Sequence, residues 1–299
     1  MNGILCIDKP QGFTSHDVVA KCRGILGTRK IGHGGTLDPM ATGVLPLFVG
    51  RATKACDILP VQDKHYTAEF ELGVTTDTQD TTGNVLSRGG VNCEIAQIEE
   101  VIRKFIGEGK QVPPMYSAVQ VGGQRLYDLA RQGIEVEREP RAVIFHSIAI
   151  LGWDADKNIC TIAVHCSKGA YIRTLCHDIG RMLGCGAALS ALRRTAACGF
   201  ALADCITLEQ AQGFKNGGAL EPRLLPVEAV FSAYPKLKLN ARQTKLFTDG
   251  VRLSLRRLGI SGTPPADYRV FDNNGGFIGI AAPKPDTDDL IIKKWFGVK

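Results

Sequence analysis

Two segments of the chain alternate with a period of two. In His65 to Leu72 the residues Tyr66, Ala68, Phe70 and Leu72 share one face, and Cys160, Ile162, Val164 and Cys166 do so in a later run. Such alternation fits half-buried strands whose second face is polar, which suits antiparallel pairing better than the continuous apolar runs of a parallel sheet. Between them, Ile98, Val101, Ile102 and Phe105 recur at helical spacing, and after Ser167-Lys168-Gly169 so do Tyr171, Leu175, Ile179 and Leu183, with Gly184 and Gly186 closing the run. Nearer the amino end, Ile4 to Ile7 and Val44 to Val49 read as strands. Thr14 or Ser15 can cap a helix carrying Val18, Val19, Cys22, Ile25 and Leu26. Strands and helices mix without a regular βαβ repeat, so the expected class is α+β.

With 44% hydrophobic residues in 299, the chain has material for a full core and is not of the disordered class. The segment from Met1 to Pro10 lacks a basic, apolar leader pattern, and no run of about eighteen apolar residues occurs anywhere. A soluble cytoplasmic protein with no membrane partner is therefore expected. The ten cysteines form no C-x-x-C pair and read as reduced, mostly buried thiols. His165-Cys166 and Cys176-His177 could suggest metal ligands, but neighbours on a strand point to opposite faces, so no metal is expected there.

Charge is unevenly spread. Residues 235–299 carry seven Lys and five Arg against six Asp, a net 12 − 6 = +6 equal to that of the whole chain, so residues 1–234 sum to zero. The division falls after a Pro-containing stretch, Leu224 to Pro235, which reads as a linker. Beyond it, short apolar runs are broken by Gly and by Asp272 to Gly276, as in a small β-barrel or sandwich. Such a basic module can grip a polyanion, or simply be a solvated basic surface. Residues 113–139 are polar and glycine-punctuated, with aromatic and basic residues interleaved, and read either as a mobile flap or as a surface excursion.

The segment Gly32-His33-Gly34-Gly35-Thr36-Leu37-Asp38-Pro39-Met40-Ala41-Thr42-Gly43 fits neither the phosphate-loop pattern nor G-x-G-x-x-G. It presents one carboxylate, Asp38, among glycines. That group can serve as nucleophile or base, or Asp-Pro can simply start a turn. Arg173 is the candidate cation for it, the alternative being a solvated residue on a helix face. Tyr66 and Tyr171 stand at the starts of apolar elements, where they can be core aromatics or stack on a planar base.

Together these stretches resemble the TruB family of tRNA pseudouridine-55 synthases. The resemblance rests on Asp8-Lys9-Pro10-Gln11-Gly12, the glycine-rich segment around Asp38, Lys64-His65-Tyr66, Pro114-Met115-Tyr116-Ser117-Ala118, Leu126-Tyr127 with Ala130-Arg131, and Ser167 to Thr174, in the family's order from about residue 3 to 200. It implies a mixed, largely antiparallel central sheet with flanking helices, in a catalytic domain over 1–234 whose segment near 113–139 covers bound RNA. A small barrel of PUA type is implied for 235–299.

The resemblance also implies roles: Asp38 as nucleophile paired with Arg173, Tyr66 stacked on the flipped uracil and a candidate base for the C5 proton, His33 filling the vacated stack, Tyr171 and Leu192 lining the pocket, and Lys9 binding substrate. It implies a tRNA T-stem-loop as partner, a stand-alone monomer without guide RNA, and no cofactor or metal. The rival is a non-catalytic tRNA-binding or folding protein. One departure stands out: the family usually has Thr or Ser after His33, whereas here it is Gly34, so a loop hydrogen bond is expected to be missing.

Overall fold

The computed structural model describes residues 1–261 and 263–297. Its centre is a nine-stranded sheet in the order Gly3–Lys9, Thr42–Val49, Ala187–Ala197, Lys64–Leu72, Ile159–Cys166, Arg141–Asp154, Gly107–Gln111, with Ile31–His33 and Phe200–Ala201 attached at its side. Every pairing in it is antiparallel except that of Thr42–Val49 with Ala187–Ala197. That parallel pair runs Arg193 opposite Thr42 and Arg194 opposite Gly43. Gly43 has φ of +101°, and a Cβ there would lie 2.2 Å from the Arg194 carbonyl oxygen, so only glycine admits this close approach.

Both alternating segments are strands of this sheet, Lys64–Leu72 and Ile159–Cys166, paired directly so that Tyr66 faces Val164. Their apolar faces meet the helices Ile95–Arg103 and Ile172–Met182 in one cluster holding Tyr66, Phe70, Ile98, Ile162, Leu175, Ile179 and Leu192. The helix Ser15–Leu26 begins as its sequence indicates. Thr14 Oγ1 accepts from the Asp17 amide at 3.0 Å while the Asp17 carboxylate accepts from the Thr14 amide at 2.8 Å, a reciprocal cap. Its buried face is Val18, Val19, Cys22, Ile25 and Leu26.

Residues 236–295 form a five-stranded sheet, Lys236–Lys238, Tyr268–Phe271, Phe277–Pro283, Asp289–Trp295, Leu253–Ser254, with the helix Ala241–Thr248 beside it. The stretch read as a linker is not free. Leu225 exchanges backbone hydrogen bonds with Ile4, both at 2.8 Å, and Phe231 is fully buried in a cluster that also takes in Phe48, Ile280 and Phe296. Apolar side chains in that stretch outweigh its prolines, so the two parts share a core. Lys54 donates to the Trp295 carbonyl at 3.0 Å and Lys294 pairs with Asp57, adding polar contacts across the same seam.

All ten cysteines are free, six of them buried. Among the described residues, no helix is long and apolar enough to cross a membrane.

Candidate active site

The glycine-rich segment is a loop between Ile31–His33 and Thr42–Val49, held from beneath by three buried polar side chains. Arg194 is fully buried; its Nε donates to the Val44 carbonyl at 2.7 Å, Nη2 to Gly35 at 3.0 Å and Nη1 to Thr36 at 3.3 Å. Ser15 Oγ accepts from the Leu37 amide at 2.8 Å and donates to the Leu37 carbonyl at 3.2 Å. Lys9 donates to the carbonyls of Phe13 at 2.6 Å, Pro10 at 3.0 Å and Pro39 at 3.4 Å. Such bonds satisfy carbonyls that a loop running over a sheet would otherwise leave unpaired.

This scaffold presents Asp38 at the loop's crest, its side chain 37% exposed, against the 5%-exposed side chain of Arg173. Arg173 Nε lies 2.9 Å from Asp38 Oδ2. Its other nitrogens donate to the carbonyls of Thr78 at 3.0 Å and Tyr116 at 2.8 Å, and Nη1 lies 3.9 Å from the buried Asp80. The guanidinium is therefore fixed from several sides, and the carboxylate meets a pre-set cation while keeping Oδ1 for another partner. Because Tyr116 belongs to the 113–139 segment, the root of that segment touches the site directly. Its tip, the hairpin Gln120–Val121 and Gln124–Arg125, is exposed and leads into the short helix Leu126–Arg131.

Tyr66 and Leu192 lie in the sheet beside the loop, 7% and 8% exposed. Burial pushes the Tyr66 phenol up to about 12, with the nearby Arg194 pulling the other way. Tyr171 is half-buried at the start of Ile172–Met182; its amide donates to Gln111 Oε1 at 2.9 Å and its carbonyl accepts from Gln111 Nε2 at 3.1 Å. His33 is half-buried and accepts from the Gly35 amide on Nδ1 at 3.3 Å. Burial lowers its pKa, helped by His16 and Arg194, which favours the neutral imidazole.

Lys9 is fully buried, its amine turned to carbonyls rather than to open space. Burial pushes its pKa down to about 8, partly opposed by Asp38. Gly34 is held on both sides: its amide donates to Pro46 at 2.9 Å and its carbonyl accepts from Cys198 Sγ at 3.2 Å. A Cβ on Gly34 would lie 2.6 Å from that sulfur and 3.2 Å from Phe48 Cε2, so Cys198 fills the space a side chain at 34 would need.

The structure thus sets Arg173 against Asp38, with Tyr66 and Leu192 in the same core cluster as the loop's Leu37 and Ala41, His33 at the loop's start, Lys9 underneath, and Tyr171 two residues before Arg173. The sequence alone suggested no role at this site for Arg194, Gln111, Ser15 or Cys198. Arg194 lies two residues beyond Leu192 on one strand, and its one available signal was an arginine at a position where strand alternation calls for an inward side chain.

A sequence model of the TruB family pseudouridylate synthase N-terminal domain matches residues 23–172, and one of the tRNA pseudouridylate synthase B C-terminal domain matches 173–232. The chain belongs to the TruB family. Curated relatives named tRNA pseudouridine synthase B include one from Dechloromonas aromatica, 44% identical over 95% of this chain and 92% of its own. Another, from Clostridium kluyveri, is 42% identical over 95% and 96%. Among solved structures, a chain of a Cbf5–Nop10–Gar1 complex is 26% identical with a TM-score of 0.74, covering 99% of this chain and 85% of that one. A chain of an H/ACA RNP bound to a substrate RNA containing 2′-deoxyuridine shares the fold, with a TM-score of 0.72 at 24% identity over 99% of this chain and 85% of that one. The TruB relationship confirms the pseudouridine synthase fold expected from the motifs.

Proposed function

We propose that this protein isomerises the T-loop uridine at position 55 of tRNA to pseudouridine, with Asp38 as the nucleophile. The observation that carries the reading is the ion pair of Asp38 with the buried, carbonyl-clamped Arg173 in a chain of this family. Names of the curated relatives supply the substrate class.

The reaction breaks C1′–N1 and forms C1′–C5; a proton leaves C5 and one is gained at N1. Nothing is oxidised or reduced, so a carboxylate, a cation to balance it and a water-poor pocket suffice without cofactor. Asp38 Oδ1 meets the extruded nucleoside while Arg173 keeps Oδ2. Extrusion costs a few kcal/mol in lost stacking. Tyr66 recovers part of that by stacking on the uracil, and neutral His33 occupies the gap in the RNA. Tyr171 and Leu192 complete the wall. Lys9 acts from below by bracing the Pro39 carbonyl.

The exposed side of Asp38 is where the RNA closes the site, and the 113–139 segment folds over it from the Tyr116 end. Water must be excluded there, since hydrolysis would release the base. We assign residues 1–234 to catalysis and 235–299 to a PUA-like module that holds RNA through its net +6 charge. The protein acts as a cytoplasmic monomer without guide RNA.

The test is incubation of the purified protein with unmodified tRNA, and with a tRNA whose T-loop uridine is changed to cytidine, followed by site mapping. Pseudouridine at position 55 of the first and none in the second is expected. Unchanged RNA in both, with binding intact, would establish the non-catalytic alternative.

A further inference from the structure

Three side chains from separate segments converge on the sheet face opposite Tyr66. Asp63 immediately precedes the strand Lys64–Leu72, His146 stands on Arg141–Asp154, and His165 on Ile159–Cys166. One potential ligand atom from each lies within 4.8 Å of the other two. The face is fixed by strand alternation: His65 pairs with His165 and Tyr66 with Val164, so the histidines point away from the pocket.

A local irregularity brings His146 there. Phe145 pairs with Cys166 and Ser147 with His165, which leaves His146 as the extra residue of a β-bulge. A bulge of this kind bends the strand locally and re-aims one side chain. The rings of His146 and His165 lie 4.5 Å apart, and His65 stacks flat on His165 at 4.0 Å, fixing its plane.

The distances point to a ligand between these groups. His146 Nε2 and His165 Nε2 lie 3.3 and 3.6 Å from the same oxygen, Asp63 Oδ2. Charge-assisted hydrogen bonds are shorter, at roughly 2.7–2.9 Å. The edge of a tetrahedron with metal–ligand bonds of 2.0–2.1 Å is about 3.4 Å. All three side chains are partly exposed, at 35%, 32% and 43%, so an aqueous ion has access.

We propose that Asp63, His146 and His165 bind a divalent transition-metal ion, with Zn2+ the best fit to two imidazoles and a carboxylate, and with an open fourth position for water. The ion ties the segment leading into the Tyr66 strand to the two strands beside it. The sequence considered His165 only with Cys166; its partners lie 102 and 19 residues away, where spacing motifs cannot find them.

The test is calorimetric titration of Zn2+ into untagged, chelator-stripped full-length protein, comparing wild type with His146→Ala and Asp63→Asn, with circular dichroism confirming that each variant is folded. One equivalent is expected, with affinity weakened by at least about tenfold in each variant. Co2+ bound at the site should show ligand-field bands without thiolate charge transfer. Absence of 1:1 binding, or binding that both variants retain, would overturn the proposal; the second result would place the ion elsewhere. His146→Ala decides alone if Asp63→Asn does not fold, because His146 is an exposed bulge residue.

Discussion

Replacing Arg173 by Met separates the two tasks given to that residue. The guanidinium is buried and serves Asp38, Thr78 and Tyr116 at 2.9, 3.0 and 2.8 Å. Methionine fills much of the volume but leaves two carbonyls without donors, each costing about 1–3 kcal/mol. The loss at Asp38 is smaller, about 1 kcal/mol, because its partly exposed carboxylate regains water. The sum, roughly 3–5 kcal/mol after some relaxation, resembles the cost of breaking a buried pair. Urea denaturation should show the midpoint fall with m nearly unchanged.

Arg173→Lys keeps a charge but cannot span Asp38 and both carbonyls. It should lose less stability while still slowing single-turnover tritium release from 5-labelled uridine by about 10²-fold or more. If Arg173→Met matched wild type in both midpoint and single-turnover rate, the role of this ion pair in fold and chemistry would be refuted.

Other outcomes follow from the loop and its floor. Gly34→Ser should cost about 1–3 kcal/mol, because its Cβ meets Cys198 Sγ, and Cys198→Ala in the same chain should recover at least half; additive losses in a double-mutant cycle would show the two sites to be independent. Tyr66 holds its proton up to about 12 against an ordinary 10, so its contribution to stability is full below pH 10 and is lost as pH rises through 12. Tyr66→Phe should flatten that part of the stability profile, and an unchanged slope in urea titrations across the same range would contradict the assignment. Tyr66→Phe should also keep tRNA binding, because the ring proposed to stack on the uracil is retained.

Much of the central sheet was legible because its strands carry one apolar and one polar face. Tyr66, Ala68, Phe70 and Leu72 all turned inward, and the helix from Ser15 buried the residues its spacing indicated. Asp38 and Arg173 were each ambiguous in the residues alone, a turn starter and a solvated helix residue being the alternatives, and it was the family resemblance that paired them. The floor of the loop was not. Arg194 and Lys9 look like surface cations in sequence, and only the carbonyls that a folded loop turns inward give them buried partners. The 224–235 stretch differed for a related reason, since its prolines suggested a connector while Phe231 is a core residue and Leu225 packs partly buried against the same cluster. His146 and Asp63 were invisible because a bulge and a loop, rather than spacing, bring them to His165.

The most direct measurement is single-turnover pseudouridine formation by Asp38→Asn on an unmodified T-stem-loop, alongside its binding affinity. Asparagine preserves size and polarity, so binding should stay within a few-fold of wild type while the rate falls by about 10⁴-fold or more. Product formation within tenfold of wild type would contradict the assignment of Asp38 as the nucleophile.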